Sequence, residues 1–361
     1  MKKWKDLQTA VNEYGLEALL VQTRSNVFYA SGFDADPHER LIGVVIPAHG
    51  VPSVICPAME KNQIHHVFPE AGIFTYEDGD DPWALTAKAC GSIKKLGLES
   101  SISWGRLTAL TDALPDTAFT EADELILSLR QRKTPEELAV LREAAAFADQ
   151  GVEEGVRLLR TGITEMEVIA GIEHYLKKQG VREMSFQPMV LFGGGAGDPH
   201  GVPGTRELKP GDNVLMDLGV KWKGYCSDIT RTVFYGHVEE KQEQIYQTVL
   251  AAQLKAVETA SDASVCGEID TAARQVINGA GYGSFFPHRI GHGMGIDVHE
   301  APSMDASSQV PLEPGLVFTI EPGIYIPDEI GIRIEDDLVI KGGGAEVLTA
   351  YPKELQVVPV R

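Results

Sequence analysis

Four carboxylates in this sequence stand where solvation explains them poorly. Asp217 lies in the apolar run Val214-Leu215-Met216-Asp217-Leu218. Asp228 follows it across LGVKWKGYCS, in which Lys221, Lys223 and Gly224 are turn material. A hairpin centred on Trp222-Lys223 sets the two aspartates opposite one another, with Cβ atoms roughly 4.5–5.5 Å apart. Like charges so placed on a half-buried strand repel, and an isolated buried carboxylate sheds its charge. A divalent cation between them resolves both difficulties. Glu321, closing LVFTIE, and Glu335, in IRIEDD, repeat the pattern about a turn at Pro327-Asp328-Glu329. Strand alternation turns Asp336 away from Glu335, and Asp337 is near the strand's end, so both read as solvated or paired with a surface cation.

The stretch PHRIGHGMGIDVHE supplies His288, His292 and His299. Its glycines make it a poor helix and bring backbone close to a site. His292, between Gly291 and Gly293, can approach a metal without side-chain crowding. His174 and His237 read as ordinary polar residues. The adjacent His65 and His66 point apart and read as surface. Asp217, Asp228, His292, Glu321 and Glu335 together form a hard, oxygen-rich donor set rather than the Cys and His of structural zinc. It suits Mn²⁺ first, then Co²⁺ or Fe²⁺, with Zn²⁺ also accommodated. Four carboxylates balance two divalent ions. Such a pair, roughly 3.5–4 Å apart, shares a water, lowers its pKa and polarises a carbonyl. His200 and His299 are then placed for proton transfer and for stabilising an oxyanion.

These residues need elements to position them. Residues 1–130 read as alternating helices and strands: a helix over 4–14 stopped by Gly15, then the apolar runs EALLVQ, GVVIPA and PSVIC. The texture changes near Arg130, and residues 131–361 read as a second domain. Thr134-Pro135-Glu136-Glu137 is a helix start. A further helix spans 164–179, closed by Gly180. The strands VLMDLGVKW, ITRTVFYG, LVFTIEPGIYI and IRIEDDLVI follow, with helices at 241–260 and 267–279 among them. This order implies an α+β domain with a mainly antiparallel sheet. A formal net charge of −20, with no cluster of Lys and Arg, excludes a nucleic-acid partner. No run of eighteen apolar residues crosses a membrane, and no signal-peptide core is present. Four scattered cysteines, Cys56, Cys90, Cys226 and Cys266, read as free thiols of a reducing cytosol.

The segments MDLGVKWKGYCSDITRT, HRIGHGMGIDVHE, FTIEPGIYI and GIRIEDD resemble the metal-binding signature of the pita-bread metallopeptidases, in the branch of Xaa-Pro dipeptidases (prolidases) and aminopeptidase P. The resemblance covers the second domain, and the first is similar to the creatinase-type N-terminal domain of that branch. It implies a pita-bread fold, two divalent ions held by Asp217, Asp228, His292, Glu321 and Glu335, and cleavage of Xaa-Pro bonds in dipeptides. Aminopeptidase P activity on longer peptides and a metal-dependent lyase are the alternatives. It further implies that His200 contacts substrate and oxyanion, that His288 and His299 line the pocket, that Arg333 supports the site, and that the chain forms a homodimer. FGGGAGDPHG departs from the family pattern by lacking an asparagine shortly before His200. Creatinase-like members lack the full ligand set, and methionine aminopeptidases lack a first domain of this length.

Overall fold

The computed structural model describes residues 3–361. The chain divides into two compact units, up to Arg130 and from Gln131 onward. In the first, six strands run in the order Gly72–Tyr76, Ser53–Pro57, Gly43–Pro47, Ala18–Val21, Lys95–Leu98 and Ala118–Glu121. The central Ala18–Val21 is apolar throughout and wholly buried, as a strand covered on both faces must be. It pairs antiparallel to Gly43–Pro47 and parallel to Lys95–Leu98, giving a mixed sheet. Helix Trp4–Glu13 ends at Tyr14, and Gly15 follows at φ +67. His65 and His66 are exposed on helix Lys61–Val67.

The second unit is built twice on one plan, a pair of helices over a largely antiparallel sheet. Helices Pro135–Leu158 and Glu165–Lys178 both open on capping boxes: Thr134 with Glu137, and Thr164 with Glu167. They cover a sheet of Val357–Val358, Ile229–Tyr235, Asn213–Leu218 and Met189–Phe192, through a core that includes Val152, Ile172, Val214, Met216 and Val233. Helices Glu240–Thr259 and Cys266–Gly279 share a second core with Phe234, Phe318, Ile332 and Ile340. The five-stranded sheet there runs Glu300–Met304, Gly291–Gly293, Val317–Ile320, Asp336–Lys341 and Gly344–Val347. The α+β expectation holds, and each helix ends within a residue or two of the expected span.

Gly151 and Gly155 decide how closely the first helix lies on the sheet. A Cβ at either would come within 2.9 Å of Leu218 Cδ1 or 2.7 Å of Met216 Sδ. Met216 and Leu218 therefore face the helix, and alternation turns Asp217 to the other side.

The register of the first hairpin differs from the sequence expectation. Trp222 pairs with Tyr225, so the tight turn is Lys223-Gly224, both at positive φ (48 and 89) as a type I′ turn requires. The turn's centre thus falls one residue later than expected, and the register shifts by two. Asp217 stands opposite Thr230, and Asp228 lies just before the strand. The second pair keeps its expected register. Ile320 faces Asp336 and Gly323 faces Arg333, so the pairing that sets Glu321 opposite Glu335 holds on both sides of them.

Candidate metal centre

Ligand atoms of Asp228, His292 and Glu335 lie within 4.8 Å of one another, and all three residues are buried. His292 Nε2 is 3.8 Å from Asp228 Oδ2 and 3.6 Å from Glu321 Oε1. Asp217 joins this group through its charge, which acts on Asp228, Glu321 and Glu335. Asp217 Oδ1 and Asp228 Oδ1 are buried without a hydrogen-bond donor. Burial, and then the charges of their neighbours, push the carboxyls of Asp228 and Glu335 well above the usual range. Burial raises Glu321 to about 7, with Arg333 opposing. Orphaned acceptors and mutually repelling carboxylates fit a site for cations.

The imidazole is prepared for the same task. His292 Nδ1 lies 3.1 Å from the Gly293 carbonyl, which can only accept, so Nδ1 carries the proton and Nε2 turns its lone pair toward the carboxylates. Burial and then His299 lower its pKa to about 3, keeping the ring neutral. The flanking glycines serve the strand rather than the ring. A Cβ at Gly291 would strike the Thr319 carbonyl, and one at Gly293 the Ala301 carbonyl.

Two of the aspartates read as solvated are in fact interior, which corrects the sequence expectation. Asp337 is 1 % exposed and accepts the Asp228 N–H at 3.0 Å, so it orients a member of the cluster. Asp336 is fully buried, with Arg231 at 2.7 Å, Gln253 at 2.6 Å and Thr349 at 2.8 Å. Strand alternation did turn Asp336 from Glu335. The face it turned to is covered by the helix carrying Gln253 and the segment carrying Lys353.

Arg333 meets Asp217 through Nη2, Tyr325 Oη at 2.9 Å through Nη1, and Thr230 Oγ1 at 3.1 Å through Nε. Thr230 Oγ1 in turn donates to Glu335 Oε2 at 2.6 Å. Burial opposes the charge on Arg333, but Tyr325, Asp217, Glu335 and Glu321 outweigh it and raise its pKa. Tyr325 Oη also lies 2.9 Å from His288 Nε2. The other ring nitrogen of His288 donates to the Arg289 carbonyl at 2.8 Å, so the tyrosine donates to His288 while accepting from Arg333. Tyr325 escaped the sequence reading, although it sits diagonally from Arg333 on one face of the hairpin that joins the two glutamates.

A cavity of about 830 Å³ opens onto these groups. Its floor holds Asp217, Asp228, His292, Glu321 and Glu335, with His200, His288, His299 and Arg333 around it. His299 is exposed and packs edge-on to His292, ring centroids 4.2 Å apart. His200 is exposed on a separate loop, where its N–H donates to Asp198 at 3.1 Å. The rest of the lining is largely apolar, with Met166 and Ile169 on one helix face and Phe186, Met189 and Val202 from other segments. Sequence inspection passed over this apolar lining, because its members come from separate elements and carry no chemistry of their own.

Residues 139–342 match the model of metallopeptidase family M24. The chain belongs to that family. Its M24 segment is preceded by a match to the creatinase/prolidase N-terminal domain over residues 3–132. The chain is 46% identical over 360 residues to the protein named "Putative dipeptidase YkvY" of Bacillus subtilis (strain 168), covering 98% of this chain and 99% of that one. Among solved structures, the Xaa-Pro dipeptidase from Bacillus anthracis is similar at a TM-score of 0.91 and 34% identity, covering 98% of this chain and 99% of that chain. The X-Pro aminopeptidase from Thermotoga maritima MSB8 is similar at 0.89 and 29%, over 97% and 99%. The M24 chain is thus a peptidase with the pita-bread fold of the prolidase and aminopeptidase P branch. Among the described residues no helix is long and apolar enough to cross a membrane.

Proposed function

We propose that residues 131–361 form a dinuclear catalytic domain that hydrolyses the bond between any residue and a following proline, most of all in dipeptides. Asp217, Asp228, His292, Glu321 and Glu335 would hold the two ions, with Mn²⁺ the first choice and Co²⁺, Fe²⁺ or Zn²⁺ the others. The observation that carries this reading is the cluster itself: buried carboxylates raising one another's pKa, two orphaned oxygens and a neutral imidazole lone pair turned to them. Ions bound there would lower the pKa of a water and polarise the scissile carbonyl. His200 and His299 would contact the carbonyl oxygen and move the proton to the leaving amine. His288, steadied by Tyr325 and Arg333, would line the pocket beside the proline ring.

The Xaa-Pro bond has no N–H, so peptidases that grip their substrate through that donor handle it poorly. A centre that acts on the carbonyl does not need it. The dipeptide preference is supported by the two Bacillus relatives, one named a dipeptidase and the other an Xaa-Pro dipeptidase. The Thermotoga aminopeptidase supports the second reading, removal of the residue before proline from longer peptides. Ala-Pro, Ala-Ala and Ala-Pro-Ala assayed under one metal separate these. We expect Ala-Pro to be cleaved fastest. Equal rates on Ala-Ala remove the proline requirement, and faster cleavage of Ala-Pro-Ala assigns aminopeptidase P. We further infer a homodimer acting in the cytoplasm. The free cysteines are consistent with a reducing compartment.

Metal uptake carries its own signature. In the metal-free protein burial and the neighbouring carboxylates push Asp228 and Glu335 well above the usual carboxylate range, and burial raises Glu321 to about 7. An incoming cation must displace protons from these groups, so Mn²⁺ affinity is expected to rise with pH between about 6 and 8. Calorimetry in two buffers of different ionisation enthalpy counts the protons released. A binding enthalpy that ignores the buffer would contradict the assignment.

A further inference from the structure

Glu165 opens helix Glu165–Lys178, is 4 % exposed, and has no part in the five-residue cluster. Its Oε1 accepts the Phe192 N–H at 2.9 Å and its Oε2 the Gly204 N–H at 2.8 Å. These two amides are the two ends of one loop. Backbone bonds secure the exit, from Glu165 N to the Arg206 carbonyl at 3.3 Å and from Met166 N to the Gly204 carbonyl at 3.2 Å. Inside the loop, Gly194 and Gly197 press against the carbonyls of Asp328 and Ile326 so closely that a Cβ at either would collide. That contact seats the first half on the neighbouring hairpin. The second half, Pro199, His200, Gly201, Val202 and Pro203, lines the cavity in five consecutive positions. Within it His200 bonds locally, to Asp198.

We propose that Glu165 is a positioning residue: by clasping Phe192 to Gly204 it sets where His200 stands over the carboxylate cluster. This rests on the reading of His200 as a group that contacts substrate. A carboxylate suits the task because each oxygen accepts without competing with the other. Its place in the first turn of a helix favours its charge. Glutamine at this position keeps one acceptor and turns an NH₂ toward the second amide, so one end of the loop is released while volume is unchanged. If Glu165 merely stabilised the helix terminus, replacing it would weaken the fold without acting through His200.

A double-mutant cycle separates the two roles. E165Q, H200A and the double variant are compared as Mn²⁺-loaded enzymes on the peptide cleaved best in the panel above. We expect E165Q alone to lower kcat/KM about tenfold, as loss of one charge-assisted hydrogen bond does. In the H200A background it should cost less than about twofold, because the residue it positions is gone. Metal content should match the wild type. Hydrogen exchange should quicken over residues 193–204 and stay unchanged over 135–158, with or without metal. Equal losses in both backgrounds, or unchanged exchange in the loop, overturn the proposal. Full activity in H200A instead removes the substrate role of His200, and with it anything for the clasp to position. If E165Q does not accumulate folded, E165D keeps the charge, is one methylene short of spanning both amides, and enters the same cycle.

Discussion

Asp228→Asn is expected to lose at least one metal equivalent and to lower kcat/KM by about 10³-fold or more, the scale of several kcal/mol of charge stabilisation at a metal centre. Asparagine preserves the volume, so the effect isolates the charge. Asp228 is buried at the floor of the cavity, with one oxygen orphaned and the other 3.8 Å from His292 Nε2. Its backbone N–H is held by Asp337, so the side chain's position owes little to its own charge. Elemental analysis after dialysis and steady-state kinetics read the two quantities. A variant that keeps both metals and more than a tenth of the activity would remove Asp228 from the ligand set.

Asp336→Asn is expected to destabilise the protein by about 3–5 kcal/mol, the cost of leaving a buried charge without its partner. Arg231 is 1 % exposed and would keep its guanidinium inside with the carboxylate gone. The strand alternation that turns Asp336 from the cluster made it look expendable, whereas burial makes it a structural charge. Its effect on catalysis should be secondary. Arg231 also donates to the main-chain carbonyls of Thr230 and Glu335, and this ties the network to the strand that carries Glu335. Urea denaturation of the metal-free protein gives the loss, and an Arg231→Met/Asp336→Leu double variant should recover much of it. A single-variant loss below 1 kcal/mol would refute the argument. The pH dependence has a definite sign. Burial alone would raise the Asp336 carboxyl, but Arg231 and Lys353 bring it below the ordinary value. Its contribution is therefore complete above about pH 4, the unfolded value, and fades as acid titrates the folded carboxylate.

Much of the fold was legible where the forces are local. Thr134 and Thr164 announce helices because a side-chain oxygen and a glutamate three residues on satisfy orphan amides, whatever packs above them. Glu321 and Glu335 could be paired because Asp328 centres an unambiguous turn, and antiparallel register follows from a turn's centre. The same arithmetic missed at Asp217 and Asp228. Several residues between them could form the turn, and Lys223 adopts a positive φ that its type does not advertise. One residue of error there moves a partner by two.

The donor types of the candidate site were equally plain, since Asp, Glu and His in apolar, glycine-punctuated strands need a reason to be there. What tertiary structure alone decided is which faces are covered. Asp336 lies in the interior because a helix and a returning segment close over its face of the strand, and Asp337 is buried on the other face against the backbone of Asp228. Tyr325 couples Arg333 to His288 across a diagonal that exists only once the hairpin is formed. Glu165 reaches two amides twelve residues apart because a loop folds back onto a helix terminus. Periodicity records what one element demands of its own residues. Burial, and the pKa values that follow from it, depend on the neighbour that arrives from elsewhere in the chain.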